Sequence, residues 1–248
     1  MKKTFYGTDF DMDEILPPVF SPRVYNLTEM GGRGDSQTDE TEIIRNAIET
    51  CSREGGGTVL LPEGLWLTGP IHLKSGVNLR LEKNATLKFS SVFSDYLPVV
   101  FTRWEGTECY NYSPLIYADG CENIGVSGEG TLLGNGEAWW HWKKLQQEAA
   151  NRLVDAEALG IPVEKRIFGR VEDALRPQFI QPINCRNVLI EGITIKDGPM
   201  WTIHPVYCEN VIVRNVSVIS SGPNTDGLNP DSCKNVLVEK CSFETGDD

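Results

Sequence analysis

The sequence predicts an all-β chain wound into a right-handed parallel β-helix, and three observations carry that prediction. The first is an internal repeat. The segments CRNVLIEGITI (185–195), CENVIVRNVSV (208–218) and CKNVLVEKCSF (233–243) share Cys-x-Asn, an apolar strand, a two-residue break and a short alternating strand. Their starts lie 23 and 25 residues apart, too short a period for two packed helices, so each unit is one coil of a stacked solenoid. The second is chemistry within the unit: Val and Ile dominate, with turn residues between them, which is strand composition. The third is an earlier copy, CENIGVSGEGTLL, beginning at Cys121.

Stacked coils rise by about 4.7–4.9 Å, so equivalent positions line up as ladders. Cys185, Cys208 and Cys233 are expected to form an inward ladder of small apolar side chains. Asn187, Asn210 and Asn235 are expected to form another at a turn. Both ladders read as structural.

The other elements follow in order. The start, MKKTFYGTDFDMDEILPP, has two lysines but acids at once behind them, so it does not read as a leader peptide. TDETEIIRNAIETCSREGGG predicts an amphipathic helix, with Asp39 and Glu42 spaced as a capping box and Gly55 as its stop. Such a helix can cover the open strand edges of the first coil. GTVLLPEG, LWLTGPIHL and VNLRLEKNATLKF predict short strands. Over 137–176 the β pattern lapses, and EAWWHWKKLQQEAANRLVDAEALG predicts a helical insertion between coils. Residues 1–248 thus read as a single β-helix domain. It ends on a strand at Asp248 without a cap, as a fragment of a longer domain would.

Composition bounds the function. Apolar residues make up 40% and charged residues 23%, as in ordinary globular proteins. With 35 acids against 23 bases the net charge is -12, which repels nucleic acid overall. No apolar run reaches membrane-spanning length. Seven cysteines without CxxC or Cys/His spacing suggest free thiols in a reducing cytoplasm and no zinc; no cofactor is called for, and the oligomeric state is open.

Chemistry gathers in SGPNTDGLNPDSCKNVLVEKCSFETGDD. Asp226 follows the second strand of one repeat; Asp247 and Asp248, 21 residues on, follow that of the next. Coil stacking would bring the three carboxyls within about 5–10 Å of one another. Like charges so close cannot all ionise cheaply, so one carboxyl should hold its proton to unusually high pH. A protonated acid beside ionised ones is what glycoside hydrolysis needs. A separation of about 6.5–9.5 Å leaves room for a water and gives inversion. Asp and Gly are also common at turns, and each acid alone is as well read as a solvated surface group.

NTDG followed by GDD on a parallel β-helix resembles glycoside hydrolase family 28, the polygalacturonases and related pectin hydrolases of the pectin-lyase-like solenoid. The likeness extends to GGRGDSQTDETEIIRNAIETC, GGGTVLLPEGLWLTGPIHLKSGVNLRLEKNATLKF, SPLIYADGCENIGVSGEGTLLGNGEAWW and RPQFIQPINCRNVLIEGITIKDGPMWTIHPVYCENV. The resemblance implies an inverting hydrolase of α-1,4-galacturonan, with a pectic polysaccharide or oligogalacturonide as partner. Asp247 would be the general acid, Asp226 and Asp248 would hold the attacking water, and Asn224 would support them. The family's Gly-His-Gly and Arg-x-Lys segments have no counterpart in the 248 residues. Arg-x-Lys is the expected grip on the sugar carboxylate, and the acid stretch offers only Lys234 and Lys240. The 248-residue chain alone is therefore expected to hydrolyse pectic substrate poorly. Without a leader it would act on imported oligomers, which favours attack at chain ends.

Trp201 and His204, one coil before Asp226, are candidates for lining the cleft, with core packing the alternative. Trp139, Trp140 and Trp142 could stack on sugars but at helical spacing suit a core better. RGD at 33–35 lies inside the family-like N-terminal segment and is read as coincidence. The N-x-S/T sites at Asn26, Asn84, Asn111 and Asn215 carry no weight without secretion. Three rival functions stand beside the leading one. They are another pectic glycosidase acting on rhamnogalacturonan or xylogalacturonan, a calcium-dependent pectate lyase with acids as oxygen ligands, and a non-catalytic carbohydrate-binding β-helix.

Overall fold

The computed structural model describes residues 14–248; the first residues of the lysine-bearing start lie outside the described residues. Among the described residues, two seven-stranded parallel sheets run the length of the solenoid. One is ordered Val24–Asn26, Gly57–Leu61, Val77–Leu81, Glu122–Gly128, Arg186–Glu191, Glu209–Arg214, Lys234–Glu239. The other is ordered Asp35–Asp39, Gly64–Thr68, Ala85–Phe89, Thr131–Leu133, Thr194–Lys196, Ser217–Ser220, Ser242–Thr245. A third wall joins Ile71–His72, Ile116–Asp119 and Ile180–Ile183, then continues as single bridges through Ile203 and Leu228. This is the predicted parallel β-helix.

Register explains the core. Ile124, Val188, Val211 and Val236 stack in one column, and Val126, Ile190, Val213 and Val238 in another. Trp66, Leu87, Leu132, Ile195, Val218 and Phe243 form the facing column of the second sheet. Period-2 alternation aims these side chains inward, where most are buried. The outward residues Leu189 and Ile212 are buried as well, because Ile15 and Phe20 lie across that face.

Both predicted ladders form. Cys121, Cys185 and Cys208 are buried, Cys233 is half-buried, and all seven cysteines are free. Asn187 Nδ2 donates to Asn123 Oδ1 at 2.9 Å, Asn210 to Asn187 at 3.1 Å, and Asn235 to Asn210 at 3.1 Å. All four asparagines have φ between 54° and 59°. Asn is the non-glycine residue best suited to that left-handed corner, and here each amide also bonds the next coil.

The helix α1 (Thr41–Arg53) puts Ile44, Ala47, Ile48 and Cys51 into the main core and closes the first coil. It ends as expected. Gly55, at φ 93°, donates to Ser52 O at 3.1 Å, and Gly56 to Cys51 O at 2.8 Å, a Schellman ending. The expected capping box does not form. Asp39 Oδ1 accepts from Thr41 N at 2.9 Å, only two residues on, which is an Asx turn. The N-cap is Glu40, whose carboxylate accepts from Arg33 N at 2.8 Å, and Glu42 pairs with Arg45 instead.

Within 137–176 lie α2 (Glu137–Trp140), α3 (Gln147–Ala158) and a short strand, Ile167–Phe168. That strand joins a second excursion that sequence reasoning passed over, an antiparallel hairpin of Val100–Trp104 and Thr107–Asn111. Its two-residue turn is Glu105-Gly106, with φ of 43° and 88°. Positive φ at both positions matches the turn to the strand twist. No described helix is long and apolar enough to cross a membrane.

Candidate active site

Coil stacking brings the acid turns together. Thr202 N donates to Asp226 O at 2.8 Å, and Gly227 N donates to Asp248 O at 2.8 Å. Residues 202, 226 and 248 therefore occupy three successive coils at one corner. Asn224 Nδ2 donates to Asp247 Oδ2 at 3.1 Å, tying the two acid turns side chain to side chain. Asn224 itself has φ 55°, so the NTDG corner again uses an asparagine where the backbone turns left-handed.

The three acids differ in environment. Asp226 is buried, whereas Asp247 and Asp248 are exposed. Asp226 Oδ2 accepts from Asn229 Nδ2 at 3.0 Å, while its Oδ1 is buried with no protein partner. Burial raises the Asp226 pKa above the ordinary carboxylate value. The Asn229 bond pulls it back, and the charges of Asp247 and Asp248 push it further up. The carboxyl whose surroundings hold its proton is thus Asp226, and not Asp247, to which the resemblance gives the acid role.

Arg176 was missed by sequence reasoning. It is fully buried beneath the NTDG corner. Its Nη1 donates to Pro223 O at 2.6 Å and Pro199 O at 3.1 Å, its Nη2 to Asn224 Oδ1 at 2.8 Å, and its Nε to Gln146 Oε1 at 3.1 Å. Burial lowers its pKa to about 10, against the charges of Glu105 and Asp226, so it stays cationic at neutral pH. Glu105, at the hairpin tip, stands exposed, yet the surrounding protein holds its pKa up, desolvation first. Lys143 and Arg176 oppose that rise and Asp226 adds to it. The charges of the hairpin tip and the insertion are thus felt at the same corner as the acids.

The aromatic candidates divide. Trp201 is half-buried, its ring at 4.8 Å and 86° to that of His204. It sits one coil before Asp226 and packs against the cluster that holds Leu175 and Met200. His204 takes the core alternative: its side chain is 0% exposed. Its Nδ1 lies 2.9 Å from Gln181 Nε2, which can only donate, so Nδ1 accepts and the proton sits on Nε2. Burial drives its pKa down to about 4 despite Asp231 Oδ2 at 3.7 Å. His204 backs Trp201 from inside and has no surface left for a ligand. Trp139 and Trp142 are core as well, clustered with Phe93, Tyr96 and Tyr112. Trp140 is half-buried and donates to Gly198 O at 2.9 Å. A Cβ on Gly222 would fall 2.2 Å from its indole, so SGPNTDG needs glycine there.

The two lysines of the acid stretch stand apart from the corner. Lys234 Nζ lies 3.1 Å from Glu209 on the outer face of the first sheet, and Lys240 occupies an exposed turn at φ 55°. Asn111, one of the glycosylation-type sites, is buried and donates to Leu175 O at 3.1 Å. Among the described residues no group of three acids, histidines or cysteines is arranged to hold a metal ion.

Comparison with known proteins agrees with this geometry. The family model for glycosyl hydrolases family 28 matches residues 169–248, which hold Arg176 and all three acids. The crystal structure of a hyperthermoactive exopolygalacturonase from Thermotoga maritima superposes with a TM-score of 0.91 at 48% identity, over 94% of this chain and 55% of that one. A probable polygalacturonase of Vitis vinifera is 30% identical over 90% of this chain and 43% of its own length. An exo-poly-alpha-D-galacturonosidase of Dickeya chrysanthemi is 26% identical over 92% of this chain and 41% of its own length. The chain spans about half the length of these three relatives. On the repeat, the solenoid, the NTDG and GDD corners and these matches together, the chain belongs to glycosyl hydrolases family 28.

Proposed function

We propose that the protein is a glycoside hydrolase cleaving α-1,4-galacturonosyl bonds with inversion, with chain ends of pectic oligomers as its substrate. Asp247, exposed and held by Asn224, gives its proton to the leaving oxygen. Asp226 and Asp248 hold and deprotonate the attacking water. One observation carries the reading: Gly227 N bonds Asp248 O at 2.8 Å, which fixes the two acid turns as stacked neighbours. Attack at chain ends is supported by the insertion, whose Trp140 packs on Gly198 and Gly222 beside this corner, and by the exo-acting names among the relatives. Trp201 offers the half-buried aromatic face for a sugar.

The protein incubated with polygalacturonate should release reducing ends as galacturonic acid monomers or short oligomers. The product should absorb no more ultraviolet light than the substrate, and a chelator should leave the rate unchanged. An unsaturated product that vanishes with chelator identifies a lyase, and tight binding without new reducing ends identifies a binding module. Because Lys234 and Lys240 stand away from the corner, the 248-residue chain alone should be far slower than a chain that also carries a cationic grip for the sugar carboxylate.

A further inference from the structure

We propose that Arg176 is a positioning residue of this site: it fixes the Asn224 amide so that its N–H face meets Asp247 Oδ2, leaving Asp247 Oδ1 to carry the proton that is transferred. The inference rests on the hydrolase reading above.

The argument is one of donors and acceptors. An amide has an accepting end and a donating end, and a guanidinium only donates. Arg176 Nη2 lies 2.8 Å from Asn224 Oδ1, so the oxygen end of the amide is taken. The donating end must then face Asp247, where Nδ2 lies 3.1 Å from Oδ2. A flipped amide would set N–H against N–H at Arg176 and oxygen against oxygen at Asp247. Asp247 Oδ2 is an acceptor in this arrangement, so a proton on the carboxyl resides on Oδ1.

Arg176 is held rigidly enough to impose this. Pro199 O, Pro223 O and Gln146 Oε1 receive three of its other four N–H groups, and its side chain has no exposure. A buried cation that bonds carbonyls and amides, and no carboxylate among the described residues, is a costly way to fill a core. An apolar side chain would serve packing better, so the guanidinium is explained by what it orients. The charged groups around the chain of contacts are Asp226 and Asp248 from the adjacent turns, Glu105 from the hairpin and Lys143 from the insertion.

The test is steady-state kinetics on oligogalacturonides with the complete protein. Arg176→Lys keeps the charge but cannot span Asn224 Oδ1 and both proline carbonyls. It should lower kcat roughly tenfold to a hundredfold, the worth of a bond to a charged group, with KM within about twofold. Asn224→Ala should do the same, and the double variant should fall no further, because both remove one contact. If Arg176→Lys does not fold, Asn224→Asp decides. It keeps an acceptor for Arg176 but sets an oxygen against Asp247 Oδ2 in place of the N–H, so kcat should drop as for Asn224→Ala. Wild-type kcat in Arg176→Lys or in Asn224→Asp, a change in KM alone, or losses that multiply in the double variant would overturn the inference while the hydrolase reading stands. Wild-type protein that hydrolyses no galacturonan overturns both.

Discussion

Asp247→Asn should lower kcat on galacturonan by about 10²–10⁴-fold, the usual worth of a positioned general acid. The fold should be untouched, since Asp247 is exposed and its carboxylate bonds only the Asn224 amide among the described side chains. Asp226→Asn should cost activity on a similar scale but move stability the other way. The folded-state pKa of Asp226 is raised, chiefly by burial. Below the unfolded pKa the side chain is neutral in both states and nothing is lost. As pH rises through the folded pKa, a carboxylate must exist in the buried site, and stability falls. A permanently neutral amide avoids that loss. Asp226→Asn should therefore melt higher than wild type at neutral pH, by roughly 2–4 °C for each kcal/mol relieved, with the gap closing in acid. Thermal melts at several pH values check it. Lower stability of the variant at neutral pH would mean that Asp226 is held by contacts its charge requires.

Trp139→Ala should be the most damaging change to the fold among the aromatic residues of the insertion, at about 3–5 kcal/mol. Trp139 is fully buried, with ring centroids 4.5 Å from Phe93, 5.0 Å from Trp142 and 5.2 Å from Tyr96. Its neighbour Trp140 is the residue that packs on Gly222 and Gly198 beside the acid corner, so activity should fall with stability. Trp139→Phe should cost much less, because Trp139 Nε1 has no hydrogen-bond partner to lose. Denaturant midpoints and kcat for the two variants separate packing from polarity.

The parts of the molecule that repeat were legible in the sequence. Parallel coils in register place like residues above like residues, so Cys185, Cys208 and Cys233 or Asn187, Asn210 and Asn235 announce the stack at one fixed period. The acid corner was legible for the same reason: Asp226 and Asp247 are separated by one coil. What does not repeat stayed hidden. Arg176 reaches Asn224 across 48 residues, and a single arginine in RPQFIQ carries no periodic mark. The hairpin at 100–111 left a signal, since VFTRW and TECYN alternate around Glu105-Gly106, but it breaks the coil period that organised the rest. At the start of α1, Asp39 and Glu42 had the right spacing for a capping box. The shorter Asx turn to Thr41 competed successfully for the same carboxylate. His204 faced inward because the coil before it has Gln181 ready to bond its ring, a pairing between neighbouring coils that one strand cannot reveal.

The anomeric configuration of the first product, followed by proton NMR within minutes of mixing the complete protein with reduced oligogalacturonides, tests the central claim most directly. Acid and water-holding carboxylates on opposite sides of one sugar link require the α-linked substrate to appear first as the β-anomer, before mutarotation. An α-anomer formed first would mean a covalent intermediate on one of these aspartates, and the assignment of Asp226 and Asp248 to a shared water would fail.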